Sequence, residues 1–237
     1  MSKIYPIYKK EMISYFSSPI AYIFIMMFLL LTGYLFWVIL VDSHQASMRD
    51  TFSVIGSVLL FVTPMLTMRL FAEERKSGTM ELLFTSPIKN RELVMGKFYA
   101  AFSLYGIMFL LTLSYPIILE TLGDPDGWPI VSGYLGLFFM AGCYTSVGLF
   151  SSSLTENQII SGIICFGILL TFLIIDWGKT FFTHPLIVGI IKHLSFFEHY
   201  EAFRKGVISV PDIVYFSCFI FYFLFLTIRV LEIQRNQ

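Results

Sequence analysis

The sequence predicts an all-α membrane protein. Six transmembrane helices follow an N-terminal interfacial amphipathic helix, with a short cytoplasmic helix in one loop and short outer helices before the last span. Composition is the first reason: 57% of the 237 residues are hydrophobic and only 14% are charged, against about 25% charged in a typical soluble domain. A water-facing globule of this composition lacks the polar coat it needs, so a bilayer is the fitting solvent. The second reason is six apolar runs, roughly 20–41, 51–71, 98–119, 130–151, 158–175 and 212–230, near the ~20 helical residues that cross a hydrocarbon core. They lack period-two alternation, which excludes a barrel, and a helix satisfies its own backbone in lipid.

The third reason is the placement of lysine and arginine. Lys3, Lys9 and Lys10 precede span one; Arg69, Arg75, Lys76, Lys89, Arg91 and Lys97 lie between spans two and three; Arg229 and Arg235 follow span six. The opposite side has Arg49 and the loop "ETLGDPDGWP" (120–129), with three acidic residues and no basic one. Segment 176–211 adds Lys179, Lys192, Arg204 and Lys205 there, which weakens the bias without reversing it. The positive-inside rule then puts both termini in the cytoplasm. Net charge is zero, so nothing points to nucleic acid.

In chain order, "SKIYPIYKKEMISYFSSP" is too charged for a signal peptide and leads into a longer apolar run than one has. On a helical wheel Ile4, Tyr8, Met12 and Tyr15 form a stripe with Tyr5 and Phe16 beside it, opposite Lys3, Lys10, Ser14 and Ser17. This reads as a helix lying flat on the inner leaflet before Pro19; a disordered basic tail is the alternative. Pro64 and Pro116 can kink spans two and three. Ala141, Gly142, Thr145 and Ser146 let span four pack closely on a neighbour. Cys143, Cys165 and Cys218 fall in apolar runs and read as small packing residues.

The loops carry their own punctuation. In "SLTENQ" (153–158), Thr155 and Gln158 have capping-box spacing before span five. In "LSFFEHYEAFRKGVI" (194–208), Phe196, Tyr200 and Phe203 share a row, Gly206 is placed to end the helix, and Pro211 precedes the last span. That aromatic row dips into the outer interface or covers a cavity mouth, unless the segment is an ordinary interfacial loop. In "RLFAEERKSGTMELLFTSPIKN" (69–90), Glu73, Glu74, Arg75 and Lys76 form a collar where span two leaves the lipid. Thr79 is placed as the cap of a short helix with Glu81 in its first turn. Met80, Leu82, Leu83 and Phe84 follow, Pro87 stops the helix, and Asn90 caps the helix leading into span three. Apolar side chains on such a helix need a cover, either the membrane surface or a partner's groove.

Local chemistry is absent. "DWGKT" (176–180) ends like a phosphate loop, but Leu173 stands where that loop needs a glycine, and no strand precedes it. His184, His193 and His199 lack metal-ligand spacing and read as interfacial polar residues. Glu120, Asp176 and Asp212 sit at span ends, so the interiors hold no ion path. The chain reads as a helical bundle without its own energy source, and not as an enzyme.

"FAEERKSGTMELLFTSPIKNRELVMGKF" (71–98) resembles the signature of the type-2 ABC transporter permeases. Its parts are a Glu-Glu-Arg/Lys block, Gly-Thr-x-Glu-x-Leu, a proline, and Gly-Lys-Phe entering span three. "SSLTENQI" and "HYEAFRKGVISVPDIVYF" extend the resemblance over the whole chain. Among subfamilies it is most similar to the gliding-motility-associated permeases, with the copper-maturation permeases of nitrous oxide reductase next.

The resemblance implies a single membrane domain over 1–237 in the bacterial inner membrane. Segment 73–92 becomes the coupling segment. Thr79, Met80, Glu81, Leu82, Leu83 and Phe84 form a coupling helix that docks in a cleft of a separate ATPase, with Glu73, Glu74, Arg75 and Lys76 as its polar collar. ATP and Mg are bound by that partner, and this chain holds no cofactor or metal. Outer helices 181–208, with Phe196, Tyr200, Phe203 and Gly206, correspond to gating or re-entrant helices. The permease works in a pair, as a homodimer or with a larger permease carrying an extracytoplasmic domain. The alternative to export is mechanotransmission, relaying ATPase energy to an extracytoplasmic partner.

Overall fold

The computed structural model describes residues 3–43, 47–178, 189 and 193–236. Much of the predicted outer stretch, residues 181–188 and 190–192, lies outside these, as do Lys179, Thr180, His184 and Lys192. Among the described residues the regular structure is helical, without strands.

The elements are α1 (Ile4–Ser17), α2 (Pro19–Ser43), α3 (Arg49–Thr67), α4 (Arg69–Lys76), α5 (Thr79–Thr85), α6 (Asn90–Thr112), α7 (Ser114–Leu122), α8 (Gly127–Leu154), α9 (Gln158–Gly178), α10 (Phe196–Arg204) and α11 (Val210–Arg235). Among the described residues, six segments are long and apolar enough to cross a membrane: α2, α3 with α4, α6 with α7, α8, α9 and α11.

Helix α8 is the axis. It packs against α3, α6, α9, α10 and α11, and its glycines admit side chains from several neighbours. A Cβ on Gly136 would lie 2.6 Å from the Tyr200 ring, and one on Gly142 would lie 2.8 Å from Ile220 Cδ1. Ala141, Thr145 and Ser146 are fully buried in the same helix, as close packing of small residues requires. By contrast α2 and α11 expose Met26, Leu30 and Trp37, and Val214, Phe221 and Tyr222, which fits faces turned to an apolar medium. Cys143 and Cys165 are buried, Cys218 is exposed, and all three are free thiols.

Both composite spans break near their prolines. Pro64 lies inside α3, which ends at Thr67, and Met68 N donates to the Pro64 carbonyl. In span three, α6 ends at Thr112 and α7 contains Pro116. Pro116 has no N–H to give the carbonyl of residue 112, four positions back. The Tyr134 hydroxyl of α8 donates to that carbonyl at 2.9 Å instead.

Three expected caps move by one or two residues. Asn157, not Thr155, caps α9: its Oδ1 accepts from the N–H of Ile159 at 2.9 Å, while Thr155 Oγ1 accepts from Asn157 N. Lys89, not Asn90, is the N-cap of α6, and the Glu92 carboxylate accepts from Lys89 N at 3.2 Å. Gly78, not Thr79, is the N-cap of α5, because the reversal between α4 and α5 takes φ to 70° and glycine alone adopts that freely.

Candidate functional site

The two termini, α4, α5, the start of α6 and the end of α8 meet at one end of the bundle. Its centre is Lys97. The ammonium is 1% exposed; it donates to Glu11 Oε1 at 2.8 Å and to the Leu70 carbonyl at 2.6 Å, and the Glu74 carboxylate stands 3.0 Å away as its second ion-pair partner. The Phe71 ring lies beneath it at 5.1 Å. One cation thus binds α1, α4 and α6 together. Gly96 makes this possible, since a Cβ there would lie 2.7 Å from Ile7 of α1.

This geometry corrects the N-terminal helix. Ile4, Tyr8 and Met12 are half-buried and Tyr15 is buried, as a stripe should be, but Ile7 and Glu11 share their face while Tyr5 is exposed. The stripe packs on protein, chiefly α6. A glutamate on that face is explained by Lys97. Arg69 stacks over the Tyr15 ring at 4.5 Å. Burial foremost, and then the Glu11 charge, hold the Tyr15 hydroxyl well above its ordinary pKa against the pull of Arg69, so it stays neutral.

The collar divides. Glu74 and Arg75 turn inward, Glu74 to Lys97 and Arg75 Nη1 to the Ser153 carbonyl at 3.2 Å, while Glu73 and Lys76 are exposed. Ser152, at the end of α8, stitches the break at Met68. Its hydroxyl donates to the Met68 carbonyl at 3.0 Å and accepts from Phe71 N at 2.9 Å and Ala72 N at 3.1 Å.

Helix α5 is also two-faced. Met80 is buried, and Leu83 and Phe84 are half-buried against the core. These positions, i, i+3 and i+4, share one helical face, so the protein itself covers most of the apolar surface assigned to a partner. Thr79, Glu81 and Leu82 remain outward, Leu82 at 71% exposure. Thr79 Oγ1 ties back to the Glu74 carbonyl at 3.2 Å. Past Thr85, the loop to α6 is held from both sides: Lys3 Nζ donates to the Pro87 carbonyl at 2.8 Å, and Arg235 Nη1 to the Ile88 carbonyl at 3.0 Å and Asn90 Oδ1 at 3.2 Å.

At the far end the expected outer row is buried. Phe196, Tyr200 and Phe203 are each 2% exposed or less. They face α8 and α11 instead of dipping outward, and Gly136 of α8 leaves room for Tyr200 and Phe203. Phe196 meets Phe172 at 4.9 Å and Phe219 at 4.8 Å, and Tyr200 donates to the Gly133 carbonyl at 3.3 Å. Gly206 does end the helix, at φ 86°, and the Trp128 indole donates to its carbonyl at 2.7 Å. His199 is not a simple interfacial residue: Nδ1 lies 2.6 Å from Asp212 Oδ1, and the ring stacks on Tyr215 at 3.9 Å. Ser195 caps α10 by accepting from Glu198 N and bonds to the Asp176 carboxylate. Among the described residues no group of three metal-ligating side chains occurs.

Sequence reasoning missed the roles of Glu11, Lys97, Ser152 and Arg235. Lys97 had one signal, its place in the Gly-Lys-Phe triplet, and Glu11 had another, a carboxylate beside an apolar stripe.

A bundle of six apolar spans with a short helix set on a polar loop defines a multi-pass membrane protein. A family model described as ABC-2 family transporter protein matches residues 45–191. That is more than half of the chain, and the chain belongs to this family. It is a transporter permease, of a family that works with an ABC ATPase. The match takes in Lys97, Glu74, Ser152 and α5, whereas Glu11, α10 and Arg235 lie beyond it. No curated protein matches the sequence.

Proposed function

We propose that this chain is the membrane subunit of a bacterial ABC transporter, driven by a separate ATPase that docks on α5. ATP and Mg are bound by that ATPase, and this chain contributes no catalytic group. The carrying observation is that α5 presents Thr79, Glu81 and Leu82 outward while its other face is anchored by Met80. A rigid helix with an exposed Leu beside a Glu suits docking in a groove. Nucleotide-driven closure shifts α5 and α4, and the Lys97 ion cluster passes that shift to α1 and span three. This is a population shift driven by differential ATP binding.

The termini-bearing end is cytoplasmic in this reading, supported by Lys3, Lys9, Lys10, Arg75, Lys76, Lys89 and Arg91 gathered there. The membrane is the bacterial inner membrane, and a second permease, either a copy of this chain or a larger one, completes the path. A gliding-motility role rests on the motif resemblance of 71–98 alone; its expected sign is loss of gliding on deletion in the source organism, restored by this chain.

The test is Glu81→Lys, which reverses charge on the outward face of α5. Membrane insertion and detergent stability should be unchanged, while stimulation of the ATPase by the permease falls roughly tenfold or more, the loss expected when truncation or reversal leaves an interface charge unpaired. Wild-type stimulation in that variant, or failure of any ATP-binding subunit to co-purify with the folded chain, would overturn the reading.

A further inference from the structure

A pocket of about 400 Å³ opens between the start of α6 and the end of α11, lined by Lys89, Asn90, Arg91, Glu232, Arg235 and Asn236. Its charge is lopsided. Glu232 is matched by Arg229 Nη1 at 2.9 Å, and Glu92, which accepts from Lys89 N, is the other carboxylate beside the cations Lys89, Arg91 and Arg235. Among the described residues the side chains of Lys89 and Arg91 form no ion pair.

Arg235 is pre-organised. Its Nη1 alone is used, on the Ile88 carbonyl and Asn90 Oδ1, so the Nε–Nη2 edge still offers the fork that grips a phosphate with two hydrogen bonds.

Arg235 lies at the end of the apolar span Val210–Arg235, where a headgroup layer would meet it. Further along α11, Ser217, Cys218, Phe221, Tyr222 and Phe225 line an apolar groove on its exposed side. Phe225 lies about 15 Å along the helix axis from Arg235, the direction and reach of an acyl chain whose phosphate sits at the pocket.

We propose that the α6–α11 pocket binds the headgroup phosphate of an anionic phospholipid, with its acyl chains along the Phe221–Phe225 groove of α11. The site uses none of the outward residues of α5, so it stands or falls separately from ATPase docking.

The experiment uses the purified full-length protein and native mass spectrometry, with phosphatidylglycerol and phosphatidylcholine of matched acyl chains. Phosphatidylglycerol should bind at least tenfold more tightly. Lys89→Ala/Arg91→Ala, at two exposed positions, should lower phosphatidylglycerol affinity by roughly fivefold per removed cation and leave phosphatidylcholine binding unchanged. Arg235→Lys, which keeps charge but loses the fork, should give a smaller loss of about threefold.

Equal affinity for the two lipids, or an unchanged preference in the double variant, overturns the proposal. Displacement of the lipid by millimolar glycerol phosphate assigns the pocket to a soluble phosphate and also overturns it. If the double variant loses ATPase capture while keeping its lipid preference, the cations belong to the partner contact and the lipid site is refuted.

Discussion

The two ends of this bundle are held by different forces. At the termini-bearing end, Lys97 joins Glu11, Glu74 and the Leu70 carbonyl within 3.0 Å, and Lys3, Arg75 and Arg235 grip backbone carbonyls. At the far end Phe196, Tyr200 and Phe203 fill a socket made by α8, α9 and α11. A charge cluster is directional: it fixes which atoms meet, and it fails when one partner is removed. An aromatic socket is governed chiefly by volume and close packing. The difference suits one end to carrying a displacement between named helices and the other to staying shut.

The sharpest way to break that contrast is Lys97→Met. It strands two carboxylates beside apolar side chains, and the expected loss is about 4 kcal/mol, as for removal of one member of a buried ion cluster. It is measured as the shift in unfolding midpoint in detergent. Replacing Lys97 by Met together with Glu11 and Glu74 by Leu should recover most of that stability without recovering ATPase stimulation. Recovery of both would mean that the cluster is packing alone.

Phe203→Ala tests the other end by opening a cavity, with an expected loss of about 3 kcal/mol, whereas Phe203→Leu should lose about half as much. If the two cost the same, volume is not what holds the socket. Ser152→Ala comes next. It removes one hydroxyl from the Met68 carbonyl and two amides, for about 2 kcal/mol, and hydrogen exchange at Phe71 and Ala72 should rise with it. Lys10→Ala is the smallest. Lys10 is largely exposed although it lies 3.3 Å from Glu74, so its loss should be under ~1 kcal/mol and vanish in high salt. A larger effect would extend the charge cluster to the surface.

Much of this was legible in the sequence. Run length and charge placement give six spans, Pro116 forecasts the break in span three, and Gly206 forecasts the end of α10. What was not legible is which apolar medium a stripe meets. Ile4, Tyr8, Met12 and Tyr15, like Phe196, Tyr200 and Phe203, have helical periodicity whether the facing surface is lipid or protein. Contacts between distant residues were hidden too. Lys97 and Glu11 are 86 positions apart, and no local spacing encodes that meeting. The cap of α9 was ambiguous for a simpler reason: Thr155 and Asn157 both offer an acceptor oxygen, and only the chain's path decides which reaches Ile159. The apolar face of α5 misled in a similar way, since exposure of Leu82 was foreseeable but burial of Met80 depended on what folds over it.

The bond from Tyr134 to the Thr112 carbonyl has one more consequence. Span three is a jointed lever whose pin belongs to another helix. While α8 stays in register, the pin fills the vacancy left by Pro116 and the lever is stiff. Slide α8 by about a residue's rise, ~1.5 Å, and the pin is drawn out, the carbonyl is left in an apolar setting, and the lever can fold at Leu113. Stiffness in span three is therefore lent by its neighbour, and it is returned whenever that neighbour moves.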